Sequence, residues 1–347
     1  MEDFSDAQTV RIRVFPSYLC RLIDPATTQP AEVDASSDYE ESLERSTLKS
    51  LRSSIREHQS ENGRTYHSYC AGKYNYPNDD KENERLELQH HIWLLCLDDN
   101  LALNPGHRGA RRVLDIGTGT GIWAIDFGLF SVSDEFPSAE VIGVDLSPIQ
   151  PEWIPTNCKF EIDDLEKDWQ FSRPFDFIMC RGMAGSFSDV PAMIQKIHDN
   201  LNPGGWFELG DLSLPLGCHD GTLRDDSAIA RWHDALYQAS DYLGRPIISL
   251  SSYLDVIRKV GFVDVTCKAF SWPINGWPAD LRLKEIGMNH CVNLEMGLEG
   301  LSLALLTRGM GWNEQNVRQL CDEARVDIRD RRIHAFWPIH CVYARKP

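Results

Sequence analysis

Hydrophobic and polar positions alternate along the middle of this chain in a regular way. Residues 113–116 are apolar except for Asp115, the mark of a short buried strand, and a helix starts at Ile122. Further strand-length apolar runs lie at 140–145, 159–162, 175–180 and 206–209. A helix over 190–201 is stopped by Asn202-Pro203-Gly204-Gly205. Prolines punctuate 148–155, so the connection there has at most a short helix. Strands alternating with helices predict an α/β fold with a doubly wound, Rossmann-like parallel sheet.

Either side of this core the pattern changes. A helix is expected over 81–97, capped by Asn78 or Asp79, with Leu86, Gln89, His90 and Trp93 on one side. Aromatics crowd the polar segments 63–69 and 73–80 just before it. Helix and segments together can close over a ligand, which makes Tyr66, Tyr74 and His90 candidates for a lid. Beyond Gly210 the alternation loosens. Helices are expected at 225–242, 253–260, 280–288, 300–308 and 313–328, with strands at 262–270 and 336–345. The added helices at about 272–330 are expected to form a substrate cap. Residues 1–60 stand apart from the domain expected over 61–347. Segment 29–44 is acidic and poor in apolar residues, reading as flexible. Leu48, Leu51 and Ile55 share a helical face that packs on the domain or meets a protein partner.

The chemistry centres on Asp115-Ile116-Gly117-Thr118-Gly119-Thr120-Gly121. A strand, a glycine turn and a helix start make a nucleotide-type pocket at the carboxyl end of a parallel sheet. The spacing is G-x-G-x-G rather than the dinucleotide G-x-G-x-x-G. The acid two residues before the first glycine would repel a pyrophosphate, yet it suits a ligand carrying an ammonium group, such as S-adenosylmethionine. The next strand ends at Asp145, placed to hold ribose hydroxyls. The third ends at Asp163-Asp164, placed to accept from the adenine amino group with Leu165 against the ring.

Composition narrows the partners. A net charge of −17 argues against a nucleic-acid surface. Ten cysteines without a C-x-x-C pair support neither a zinc site nor a redox motif. With no hydrophobic leader and no apolar run of membrane-spanning length, a reduced, cytoplasmic protein without a membrane partner is expected, nuclear if regulatory.

The glycine turn, Val144-Asp145 and Asn202-Pro203-Gly204-Gly205 together resemble the class I S-adenosylmethionine-dependent methyltransferases. Segments 121–127, 143–151, 160–164 and 297–302 are similar to those of the fungal LaeA-like methyltransferase-domain proteins, from about Gly63 to the C-terminus. The resemblance implies a seven-stranded sheet whose last strand is antiparallel. It implies a methyltransferase of secondary metabolism, or a regulator of such pathways. By the same likeness Asp115, Gly117, Gly119 and Gly121 cradle the methionine part, with Thr118 in the turn. Asp145 and Leu146 meet the ribose, and Asp163 or Asp164 the adenine. Arg181 matches a position where relatives carry arginine, while Met179 and Gly182 depart from the polar residues expected there.

The acceptor is not legible. A base is needed only if the acceptor must lose a proton. His219, His233, His290, His334 and His340 all fall in the expected substrate region, and the sequence selects none. Trp272, Trp277, Trp312 and Trp337 suggest an aromatic acceptor pocket or simply core. Three functions stay open: methyl transfer to a small molecule at oxygen, nitrogen or carbon; regulation through protein partners; and a rearrangement or cyclisation in which the cofactor is not consumed.

Overall fold

The computed structural model describes residues 58–131 and 139–347. The expected flexible segment at 29–44 and the expected helix at 48–55 lie outside them. The described chain begins with a hairpin, β1 (His58–Glu61) and β2 (Arg64–His67), so the expected boundary at residue 60 falls inside paired strands. Helix α1 (Asp80–Cys96) follows, its N-terminus capped by the Asp79 carboxylate, which accepts from Glu82 N–H.

Seven strands then form one sheet. They are β3 (Arg112–Ile116), β4 (Glu140–Asp145), β5 (Cys158–Ile162), β6 (Phe175–Arg181), β7 (Leu201–Leu212), β8 (Val263–Pro273) and β9 (Phe336–Arg345). Their spatial order is β5-β4-β3-β6-β7-β9-β8. β9 runs antiparallel to both neighbours and the other contacts are parallel, as the resemblance implied. The chain leaves β3 in one direction for β4 and β5, then returns to the other side of β3 with β6. The crevice for a ligand opens at that reversal, outside the carboxyl ends of the strands.

Alternating strand positions feed two cores. Val113, Val141 and Phe177 face Trp123 and Phe127 of α2 (Ile122–Ser131). Leu114, Ile142 and Ile178 face Met193, Ile194 and Ile197 of α3 (Val190–Asp199). No helix separates β4 from β5, in keeping with the prolines there. The stop expected at 202–205 lies within β7 instead: Phe175 pairs with Leu201 and Phe177 with Trp206, so the intervening residues bulge out with Gly204 at φ +79°.

A third core unites α1 with the added helices α4 (Ala228–Tyr242), α6 (Leu281–Met310) and α7 (Glu314–Arg329); α5 (Leu254–Val260) packs elsewhere, against α3. The helices expected at 280–288 and 300–308 are one continuous 30-residue helix. Its internal glycines serve packing. A Cβ on Gly287 would strike the Asn275 carbonyl, one on Gly300 would meet the Arg64 guanidinium at 2.8 Å, and one on Gly309 the Ala239 carbonyl at 2.9 Å. Glycine there costs helix propensity but lets the neighbouring elements approach. Among the described residues, no helix is long and apolar enough to cross a membrane.

Candidate active site

The glycine turn joins β3 to α2 at the crevice. Gly117, Gly119 and Gly121 have φ of +68°, +55° and +80°, which glycine adopts without strain. Gly117 N–H and Thr118 N–H donate to the Val144 carbonyl at 2.9 and 3.1 Å, tying the turn to β4. Gly119 N–H donates to an Asp145 oxygen at 2.9 Å, and Ser147 N–H donates to the other at 2.9 Å. The glycines differ in role. A Cβ on Gly117 would run into Met183 and one on Gly121 into Phe160, whereas Gly119 opens onto space, with a Leu86 methyl carbon 3.6 Å away.

A cavity sits over this turn. It is lined by Asp115, Gly117, Thr118, Gly119, Asp145, Leu146, Asp163, Asp164, Leu165, Arg181, Tyr74 and His90, all of them candidates from the sequence. Gly121 and Tyr66 are outside it. Gly121 is packed beneath the Phe160 ring, and Tyr66 is buried in β2 under the Arg308 guanidinium, 4.9 Å away. The cavity also takes Lys73, Gln89, Trp93, Glu166, Met183 and Arg245, which the sequence reading had not assigned to the cofactor. Gln89 and Trp93 were signalled by sharing the helix face of His90. Arg245 and Glu166 carried no signal, since they meet only in the fold, at 2.8 Å.

One end of the cavity holds opposite charges. Burial drives the Asp115 carboxyl up to about 7, although the Thr118 hydroxyl donates to it at 2.6 Å. Arg181 is brought down to about 10, again by burial. Its Nη2 lies 2.6 Å from His90 Nδ1, and His90 Nε2 lies 2.9 Å from Asp126. An arginine can only donate, so Nδ1 is the acceptor and Nε2–H faces Asp126, the neutral tautomer. Burial lowers the His90 pKa, in agreement. Arg181 Nη1 is buried with no hydrogen-bond partner among the described residues. An unspent donor beside a buried carboxylate fits the carboxylate and ammonium of an amino-acid head group. At the opposite end Lys73 meets Asp164 at 2.5 Å and Glu166 at 3.3 Å. Burial raises Asp164, but the Lys73 ammonium more than offsets it and holds the carboxyl below its usual range.

A second cavity abuts the first, and Tyr74, Leu86, Gln89, Trp93 and Gly182 line both. Its walls are aromatic: Tyr76, Trp232, Tyr237, Trp272 and Trp337 join Tyr74 and Trp93. Arg85, Asp211, His233, His290 and Asn293 supply polar groups. Of the five histidines singled out, only His233 and His290 line it. His334 pairs with Asp220 at 2.5 Å and stacks on Trp277, His340 pairs with Ser213 at 2.5 Å, and His219 packs on Phe336. Trp277 and Trp312 lie away from both cavities.

A sheet of this order, with a glycine turn, a ribose-ready acid and an amino-acid-sized pair of charges at its switch point, is that of an S-adenosylmethionine-dependent methyltransferase. The chain belongs to the fungal LaeA-like methyltransferase family. The methyltransferase domain profile matches residues 88–266. Methyltransferase pytC of Aspergillus terreus is 40% identical over 303 residues, covering 87% of this chain and 92% of that one. Secondary metabolism regulator LAE1 of Cochliobolus heterostrophus is 36% identical over 294 residues, 83% of this chain and 94% of its own. Protein-methionine methyltransferase laeA of Emericella nidulans is 33% identical over 290 residues, 83% and 76% respectively.

Proposed function

We propose that the first cavity holds S-adenosylmethionine and the second a small-molecule acceptor of secondary metabolism, with methyl transfer across the shared wall. The observation that carries this is the abutment of the two cavities at Gly182, Gln89 and Trp93. When bound, the cofactor supplies an electrophilic methyl group on a sulfonium. The protein then has to hold donor and acceptor in line and keep water out. Arg181 Nη1 takes the cofactor's carboxylate and Asp115 its ammonium. Asp145, whose oxygens each already accept a backbone N–H, has lone pairs left for two ribose hydroxyls. Asp163, Asp164 and Leu165 take the adenine, and Tyr74 and His90 close the cavity from the N-terminal side. Gly182 turns the backbone at the doorway with φ +70°, a conformation that glycine adopts without strain.

The test adds purified protein and methyl-labelled cofactor to an extract of the source organism and separates small molecules from macromolecules. Label among the small molecules is expected, and cytoplasmic fractions should carry the activity. Label confined to macromolecules would refute the reading. A second reading, regulation through a protein partner of residues 1–60, draws support from the name secondary metabolism regulator borne by LAE1. It predicts that removing those residues abolishes partner capture while leaving cofactor affinity unchanged. Retained capture would end it.

A further inference from the structure

We propose that Asp211 accepts the proton that a flat phenolic or enolic acceptor releases as its oxygen takes the methyl group. This rests on the acceptor reading of the second cavity and adds to it the atom methylated and the group that receives the proton.

Asp211 stands at the carboxyl end of β7, lines the second cavity, and is 7% exposed. The residue before it, Gly210, accepts a hydrogen bond from Gly182 N–H at 2.9 Å, and Gly182 lines both cavities. The Asp211 carboxylate accepts from Leu212 N–H at 2.8 Å, and the backbone N–H groups of Met183 and Ala184, in the loop that walls the doorway, favour its charged form. It is therefore held beside the point where the two ligands meet.

Among the described residues no lysine, arginine or histidine forms an ion pair with Asp211. Tyr76 and Cys180 sit close enough to be made harder to ionise by it. His340 lies opposite on β9, and its Nδ1 is engaged by Ser213. Burial outweighs the backbone donors and lifts the carboxyl to about 7, the range of a working base at neutral pH.

The rest of the cavity selects the acceptor. Its one lining arginine, Arg85, spends its donors on Glu82, Gln89 and Asn293. Among the described residues no free cation is offered there to a carboxylate or phosphate. An ammonium among the tryptophans and tyrosines, beside a carboxylate, would be held in its protonated form, which has no lone pair to attack with. A neutral ring bearing an acidic hydroxyl suits both the walls and the base. In the step the acceptor O–H bond breaks and the proton passes to Asp211. The oxygen forms the new bond to the methyl carbon, and the electron pair of the broken carbon–sulfur bond stays with sulfur, which becomes a neutral thioether. Asp211 returns the proton to water after product leaves.

His233 is the competing base: its Nε2 is buried in the same cavity and has no hydrogen-bond partner among the described residues. The test uses 2-naphthol, a flat phenol that becomes strongly acidic when excited and emits as naphtholate when a base is in contact. Bound to the full-length protein with S-adenosylhomocysteine, it should show naphtholate emission in wild type and in His233→Gln, and lose it in Asp211→Asn. Asp211 lies outside the first cavity, so S-adenosylhomocysteine affinity should hold; Asp211→Ser is the second variant should Asn misfold. Methyl transfer to 2-naphthol should fall at least ~100-fold with the emission. Unchanged emission in Asp211→Asn, or its loss in His233→Gln, overturns the assignment of the base. Failure of 2-naphthol to bind, or faster methylation of 2-naphthylamine, overturns the acceptor class. None of these results touches the wider reading, which falls if the labelled methyl group never enters small molecules.

Discussion

Replacing Asp145 tests the cofactor geometry at one carboxylate. In the folded chain its two oxygens each accept a backbone N–H at 2.9 Å, from Gly119 and Ser147. On the proposed reading they also accept two ribose hydroxyls. Charged hydrogen bonds contribute about 1.5–3 kcal/mol each, and water entering the space left by Asp145→Ala recovers part of that, leaving a loss of about 2–4 kcal/mol. At 1.4 kcal/mol per tenfold, S-adenosylhomocysteine should bind about 30- to 700-fold more weakly. Asp145→Asn should not rescue it. One amide oxygen can serve only one of the two backbone donors, and the amide NH₂ must face the other. Titration calorimetry measures both variants, with circular dichroism as a control for folding. An affinity within twofold of wild type in either would show that the ribose is held elsewhere.

Asp115→Asn should uncouple stability from binding. Burial raises the Asp115 pKa from 3.8 to about 7, so the folded protein holds its proton more tightly than the unfolded chain. Its ionisation therefore costs stability progressively as pH rises from about 4 to 7, by at most about 4 kcal/mol. The variant should be more stable than wild type at pH 8 without ligand, equal to it at pH 4, and defective in cofactor binding; equal melting at pH 8 would contradict this. Arg181→Met should weaken S-adenosylhomocysteine about 10- to 100-fold yet barely affect 5′-methylthioadenosine, which lacks the carboxylate; parallel losses for both ligands would place the guanidinium elsewhere. Gly287→Ala, although a substitution toward better helix propensity, should destabilise by about 1–3 kcal/mol in urea because its Cβ meets the Asn275 carbonyl. A gain in stability would mean the two elements are not packed so closely.

Strand periods, the glycine turn and the acids ending β4 and β5 are local signals, and the sheet followed from them. Glycine was ambiguous. In the turn at 117–121 and at Gly261 after α5 it marks positive φ, at +114° in the latter case, whereas within α6 it marks close packing against other elements. Sequence alone does not distinguish these uses, and the pattern predicts two helices where α6 is continuous. Tyr66 and Tyr74 looked alike in a polar aromatic segment. Tyr66 belongs to β2 and faces away from the crevice, while Tyr74 lies after the hairpin and lines both cavities. The acceptor side was least legible. Asp211, His233, Trp272 and Trp337 come from separate strands and helices, and no spacing in the chain announces that they converge.

A crystal structure with bound S-adenosylhomocysteine tests the central claim most directly. The amino-acid end should lie between Asp115 and Arg181, the ribose on Asp145 and the adenine against Leu165, with sulfur facing Gly182 and the second cavity. Sulfur turned away from Gly182, or the ligand seated among the tryptophans of the second cavity, would contradict methyl transfer across the shared wall.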